Sequence, residues 1–129
     1  MEYLTHIDGT TPQHGEIFVF GSNLAGIHGA GAAKEAFKHY GAIWGQGIGL
    51  WGDSYAIPTK DEYIETLPLA VIQIMIETFK MIASEHPERT FYVTRVGCGL
   101  AGYNDDNIAP LFRDSPENCN FPIEWVNYL

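Results

Sequence analysis

Short, dense apolar runs alternate along this chain with glycine-rich turns and with longer stretches whose apolar residues recur at helical spacing. Residues 16–20, of which Ile17 to Phe20 are β-branched or aromatic, lie between turn residues, which predicts a buried strand, with a loop over 22–28. Residues 30–40 hold good helix formers, and Ala33, Ala36, Phe37 and Tyr40 are spaced to share a buried face. Residues 41–52 carry five glycines and two tryptophans and read as extended and tightly turned. A short strand over 54–58 is ended by Pro58.

The longest periodic stretch is 67–85. Leu67, Val71, Ile74, Met75, Thr78 and Ile82 follow the 3.6-residue period, and Ile72, Ile76 and Phe79 widen the stripe. Pro68 suits a first helical turn and Pro87 follows the end. A strand over 90–95 comes next. A short helix over 104–113 has Asn104 placed as N-cap and Asp105 and Asp106 in its first turn. A last strand is expected over 121–126, whereas residues 1–15 are polar and turn-rich with little period. Strands alternating with helices predict an α/β fold with a largely parallel sheet. No repeat, linker or low-complexity tract interrupts the chain, and residues 1–129 are expected to form one domain.

Two of the predicted strands run into glycine-rich turns followed by a helical pattern: Ile17-Phe-Val-Phe-Gly-Ser-Asn-Leu-Ala-Gly-Ile-His-Gly-Ala-Gly31 and Thr90-Phe-Tyr-Val-Thr-Arg-Val-Gly-Cys-Gly-Leu-Ala-Gly-Tyr103. Such a unit aims backbone N–H groups and a helix N-terminus at an anion. In an open α/β sheet both loops fall at the C-terminal strand ends, where ligands bind. The pair therefore suggests a pocket for a phosphate-containing small molecule; the alternative is that the glycines only make tight turns. Gly97-x-Gly99-x-x-Gly102 also matches the dinucleotide fingerprint. A nicotinamide site wants a full βαβ unit and an acidic residue about 20 positions on. Glu124 stands in range, but too little chain follows it for the second half of that fold, so an ordinary dehydrogenase is not expected.

Charge narrows the partners. Sixteen acidic residues against seven Lys and Arg give a formal net charge of −9, which argues against nucleic acid or an anionic membrane as the main partner. Cys98 and Cys119 have neither metal-ligand spacing nor a disulfide pattern, and His6, His14, His28, His39 and His86 are scattered, so neither a metal nor a cofactor is expected. The N-terminus lacks a basic segment followed by an apolar run, and no apolar stretch approaches the ~20 residues of a membrane span. A soluble cytoplasmic protein is the expectation.

The segments Gly21-Ser-Asn23, Gly29-Ala-Gly31-Ala-Ala33, Ile57-Pro-Thr-Lys60, Arg95-Val-Gly-Cys-Gly-Leu-Ala-Gly102 and Ile108-Ala-Pro-Leu111, in that order over residues 16–126, resemble a macro domain. The likeness is nearest to the branch of ADP-ribose-1″-phosphate phosphatases and terminal ADP-ribose protein glycohydrolases. Residues 45–60 also look like an uncharacterised group of bacterial and phage proteins. The resemblance implies a three-layer α/β/α sandwich with a mixed, mostly parallel sheet, and a pocket for ADP-ribose or a relative. It implies that Ser22 and Asn23 bind ligand, Asn23 at the distal ribose, and that Gly29, Ala30 and Gly31 present N–H groups near that ribose and its phosphate. Gly97, Cys98, Gly99, Leu100, Ala101 and Gly102 would form the diphosphate loop. Lys60 matches the nucleophilic lysine of the terminal glycohydrolases.

The sequence also departs from that pattern. Ala101 stands where the hydrolase branch has a catalytic aspartate, and Ala32 and Ala33 stand where other macro hydrolases carry one. Tyr103 is the substitute for an aromatic residue usual near position 101, and Asp8 is the only carboxylate near the place of the adenine-binding acid. Three readings follow. In the first, the pocket binds an NAD-derived nucleotide and hydrolyses a bond at the distal ribose; water or Lys60 attacks and His28 or Asp53 assists. In the second, the chain binds the nucleotide or an ADP-ribosylated protein without chemistry. In the third, it is an interaction protein with structural glycine loops.

Overall fold

The computed structural model describes residues 2–129. Six strands form one sheet: β1 (Leu4–His6), β2 (Ile17–Asn23), β3 (Gly49–Trp51), β4 (Ser54–Lys60), β5 (Phe91–Val93) and β6 (Cys119–Pro122), in the order β1-β6-β5-β2-β4-β3. All neighbours pair parallel except β3, which runs antiparallel to β4 at the edge. The helices are α1 (Gly31–His39), α2 (Leu69–Ser84) and α3 (Asp105–Ile108), with 3-10 turns at Ala109–Phe112 and Ile123–Tyr128.

The two-residue period of β2 divides the core between the faces of the sheet. Phe18 and Phe20 pack with Ala33 and Ala36 of α1. Ile17 and Val19 belong to the opposite layer, with Ile72, Ile76 and Phe79 of α2, Ile108 of α3, and Phe112 and Trp125 from the 3-10 turns. The result is a three-layer α/β/α sandwich with a mixed, mostly parallel sheet, as the resemblance implies; the strand–helix alternation by itself predicts the α/β class and the largely parallel sheet.

Several boundaries move, each for a physical reason. β2 and β4 run on to Asn23 and Lys60, because Ser22 and Asn23 keep pairing with β4 across a bulge. The loop expected over 22–28 therefore starts later. On α2 the buried residues are Ile72, Ile76, Phe79 and Ala83, whereas Ile74 is 64% exposed. This helix is apolar almost all round, so the period alone admits two overlapping stripes, and the sheet takes the one that buries an aromatic ring. Phe37 of α1 is likewise 44% exposed rather than buried. The strand expected over 121–126 ends at Pro122; beyond it a 3-10 turn buries Trp125 completely and lets its Nε1 donate to Asp105. In the stretch of little period, β1 pairs with β6 and is anchored by Tyr3, whose ring sits edge-on to Phe121 at 4.9 Å and whose hydroxyl donates to Ser115 O. Asn104 caps α3 as expected, in a reciprocal pair with Asn107.

These faces make a direct prediction. Phe79→Ala should cost about 3–5 kcal/mol in urea unfolding, whereas Ile74→Ala should cost under about 0.5 kcal/mol. Equal losses would mean that α2 packs through a different face.

Candidate functional site

Parallel pairing brings the C-terminal ends of β2, β4 and β5 to one edge of the sheet, and the chain leaves each of them through a turn. A cavity of about 440 Å³ opens between those turns.

The turn after β2 is built by the side chain of Asn23, whose Oδ1 accepts from Ile27 N at 2.9 Å and whose Nδ2 donates to Ile27 O at 2.8 Å. It is braced from behind by residues 43–47. Gly45 N donates to Gly26 O, and Ser22 Oγ donates to Gly47 O. The approach is so close that a Cβ on Gly47 would lie 1.9 Å from Asn23 O, which only glycine permits. His28 is 1% exposed under this brace. Its Nε2 faces Ile43 O at 2.9 Å and Gln46 O at 3.1 Å, which places the ring hydrogen there, and the buried Nδ1 has no hydrogen-bond partner among the described residues.

Helix α1 begins at the cavity wall with no side-chain cap and no acidic residue in its first turn. Its first bond runs from Lys34 N to Ala30 O. The N–H groups from residue 29 to residue 33 find no acceptor among the described residues.

The turn after β5 folds on itself through Cys98 N to Arg95 O, Gly102 N to Gly99 O and Tyr103 N to Gly97 O. That leaves the N–H groups of Gly97, Gly99, Leu100 and Ala101 without acceptors among the described residues. Gly97 has φ +77, and a Cβ there would press on Ile108 Cδ1 at 3.1 Å. Arg95 clamps the turn to α3: its Nε and Nη2 donate to the two oxygens of Asp105 at 2.9 and 3.0 Å, and Asp105 Oδ1 also accepts from Trp125 Nε1 at 2.8 Å. Burial works against the Asp105 charge, but the Arg95 and Trp125 hydrogen bonds outweigh it and hold the carboxyl below the usual range. Arg95 Nη1 lies 3.5 Å from Asp8.

The turn after β4 completes the wall. Asp61 accepts from Tyr63 N and Glu65 N, and Ile64, a β-branched residue at φ +66, is held facing the cavity. Thr66 Oγ1 donates to Ala101 O and Tyr103 Oη donates to Leu67 O, joining this turn to the one after β5. Lys60 also lines the cavity, and its ammonium has no ion pair or side-chain hydrogen bond among the described residues. A second cavity of about 570 Å³ shares Ala32, Thr94, Arg95 and Gly99 with the first. On its far side the ring of His6 stacks on Tyr92 at 3.8 Å, beside Asp8.

Ser22, Asn23, Gly29, Ala30, Gly31, Lys60, Gly97, Gly99, Leu100 and Ala101 thus meet around one cavity. Others among the expected site residues stand elsewhere. Asp53 precedes β4 at the opposite end of the sheet and pairs with Arg89 at 3.0 Å, so it cannot serve a group at the C-terminal strand ends. His28 is committed to the 43–47 brace and does not line the cavity. Cys98 faces the second cavity, and Gly102 and Tyr103 lie behind the turn, with the Tyr103 hydroxyl spent on Leu67. Asn23 lines the cavity, but its amide is engaged by Ile27. Nine lining residues were not among the expected site residues: Gly21, Ala32, Ala33, Thr59, Arg95 and Val96, which lie inside the segments that carry the resemblance, and Ile27, Ile64 and Thr94, which lie outside them. Arg95 was visible as a lone cation entering a glycine turn. Ile64 gives no sequence signal, because nothing predicts a left-handed isoleucine.

Burial, reinforced by Asp105, pushes the Cys98 thiol from 9.0 up to about 12, and burial does the same to Cys119. Both folded values lie above the unfolded ones, so the unfolded chain ionises first. The stability these thiols contribute is complete below about pH 9 and is lost as pH rises toward 12. Urea midpoints should therefore fall across that window, and Cys98 should alkylate at about pH 8 far more slowly than in the unfolded chain. Alkylation at the unfolded rate would contradict this placement.

No family model and no curated protein matches the chain in sequence. Among solved structures, a protein of unknown function from Bacteroides thetaiotaomicron matches with a TM-score of 0.62 at 15% identity, over 95% of this chain and 99% of that one. The macrodomain of Mycobacterium tuberculosis DarG matches with a TM-score of 0.60 at 16% identity, over 92% and 97%. At such identity the likeness shows the fold, which is that of a macrodomain.

Proposed function

We propose that the cleft binds ADP-ribose or a closely related NAD-derived nucleotide. The observation that carries this reading is that two sets of backbone N–H groups without acceptors, one at the N-terminus of α1 and one in the turn after β5, border a single cavity together with the ammonium of Lys60. Donors left open in this way, at a helix start and in a glycine turn, suit a diphosphate. The N–H groups of Gly97, Gly99, Leu100 and Ala101 would hold it, with the α1 dipole and Lys60 adding positive potential. The terminal ribose would occupy the 440 Å³ cavity. The base would enter the second cavity, beside the His6–Tyr92 stack and Asp8. The macrodomain fold supports the same reading.

Binding without turnover fits the cavity better than hydrolysis does. Among the described residues lining it there is no carboxylate and no imidazole, so no side chain stands ready as general acid or base. Ala32, Ala33 and Ala101 offer only methyl groups where an acid would be needed. One observation favours a second reading, displacement at the anomeric carbon of the distal ribose: Lys60 lines the cavity with no side-chain partner among the described residues. Its amine, once it has lost a proton, would bond to that carbon as the phosphate or carboxylate on it leaves, water then releasing the ribose from the lysine. The tests of this reading are product formation from excess ADP-ribose-1″-phosphate and from ADP-ribosylated protein.

Isothermal titration with ADP-ribose should give saturable binding at one site. A Cβ at Gly99 meets no atom within 4 Å, so Gly99→Glu places a carboxylate at the anion site without rebuilding the turn, and it should abolish binding. Lys60→Ala should weaken binding by about 1.5–3 kcal/mol, the range for a charge-assisted contact. No binding at millimolar ligand, or binding that Gly99→Glu leaves intact, would overturn the proposal. Product beyond one equivalent, lost in Lys60→Ala, would replace it with the hydrolytic reading.

A further inference from the structure

Acidic residues are sparse along one stretch of this chain. Of the 16, only Glu35 falls within residues 17–52, a stretch that also carries Lys34 and Lys38. Both lysines are exposed on α1 and neither has an ion pair among the described residues. They stand one turn apart and so share a stripe of the helix, next to Phe37. The carboxylate of Glu35 is turned away toward His39, 3.8 Å from its ring.

Beside the lysines lies an apolar surface that the core does not need. The Phe37 ring meets Trp44 edge-on at 5.5 Å, and Trp44 is 52% exposed. Ile43 and Ile48, on the same 41–48 segment, are also about half exposed. This segment is held rigidly, by Gly45 on Gly26, by Gly47 against Asn23 and by His28 beneath it, so the aromatic pair is presented in a fixed geometry. Exposed aromatic side chains bordered by cations, in a protein of net charge −9, mark a recognition surface rather than a solubility device.

We infer that the α1/41–48 face docks an acidic polypeptide segment bearing apolar side chains. Charge complementarity selects this occupant. A second copy packed through the same face would bring four lysines together with only the two Glu35 carboxylates to offset them. Two lysines on a strongly acidic protein are too few to hold a nucleic acid backbone. The inference is independent of the ligand of the cleft.

The test uses the full chain and a fluorescein-labelled peptide alternating glutamate with leucine and tryptophan, beside a twin in which every glutamate is lysine. Anisotropy should show binding of the acidic peptide, weakening with salt, and none of the twin. Lys34→Glu with Lys38→Glu, and separately Trp44→Ser with Phe37→Ser, should each weaken it by about tenfold or more. All four residues are exposed, and unchanged melting temperatures would show that the variants fold. No binding, equal binding of the twin, or binding untouched by either double variant would overturn the inference. So would tighter binding of an RNA oligonucleotide, or a dimer in sedimentation that the variants dissolve.

Discussion

The constraint on which this molecule depends is the position of β2, flanked in parallel register by β4 and β5. Parallel neighbours must end at the same edge of the sheet, so three chain exits crowd together there. Each exit has to turn at once to reach a helix on one face or the other. At Gly47 that crowding leaves no room for a side chain against Asn23 O, and Gly97 turns the chain with a φ of +77 beside Ile108. The cavity, its open N–H groups and the packing of both core layers all follow from the same pairing. The open donors are a by-product of connecting parallel strands to helices that becomes useful when an anion is present.

An acidic protein has to concentrate positive potential locally if it is to hold an anion, and the charge pattern around the cleft fits the proposed site. Three carboxylates near the cleft are occupied. Asp105 is bound by Arg95 and Trp125, Asp61 by backbone N–H groups, and Asp8 lies against Arg95. Arg95 is spent in this neutralisation, so its contribution is positional: it fixes the turn that carries the free donors. Lys60 stands at the cavity wall with no ion pair among the described residues. The backbone and one side chain thus provide what the composition withholds.

Much of this was legible in the residues. The β-branched runs at 16–20 and 90–95 meeting glycine turns located the central strands and their exits, and the order of glycine, Pro-Thr-Lys and Gly-Cys-Gly segments pointed to the fold. What stayed hidden depends on which surface an element finds. Nothing in the period of 67–85 distinguishes Ile72 from Ile74, because both lie on an almost wholly apolar helix. Asp53 reads as a carboxylate near a Pro-Thr-Lys strand, yet only the register of β4 against β2 shows that it sits at the wrong end. His28 reads as a loop histidine; that it is buried follows from the 43–47 segment folding over it, a contact between residues 15 and 18 positions apart.

The central claim, that open backbone N–H groups make the anion site, is tested most directly by an amide-resolved NMR titration with ADP-ribose. The account predicts that the largest shifts fall on Gly97, Gly99, Leu100 and Ala101 and on the first turn of α1, saturating together. Shifts confined to side-chain signals around Lys60, with those amides unmoved, would contradict it.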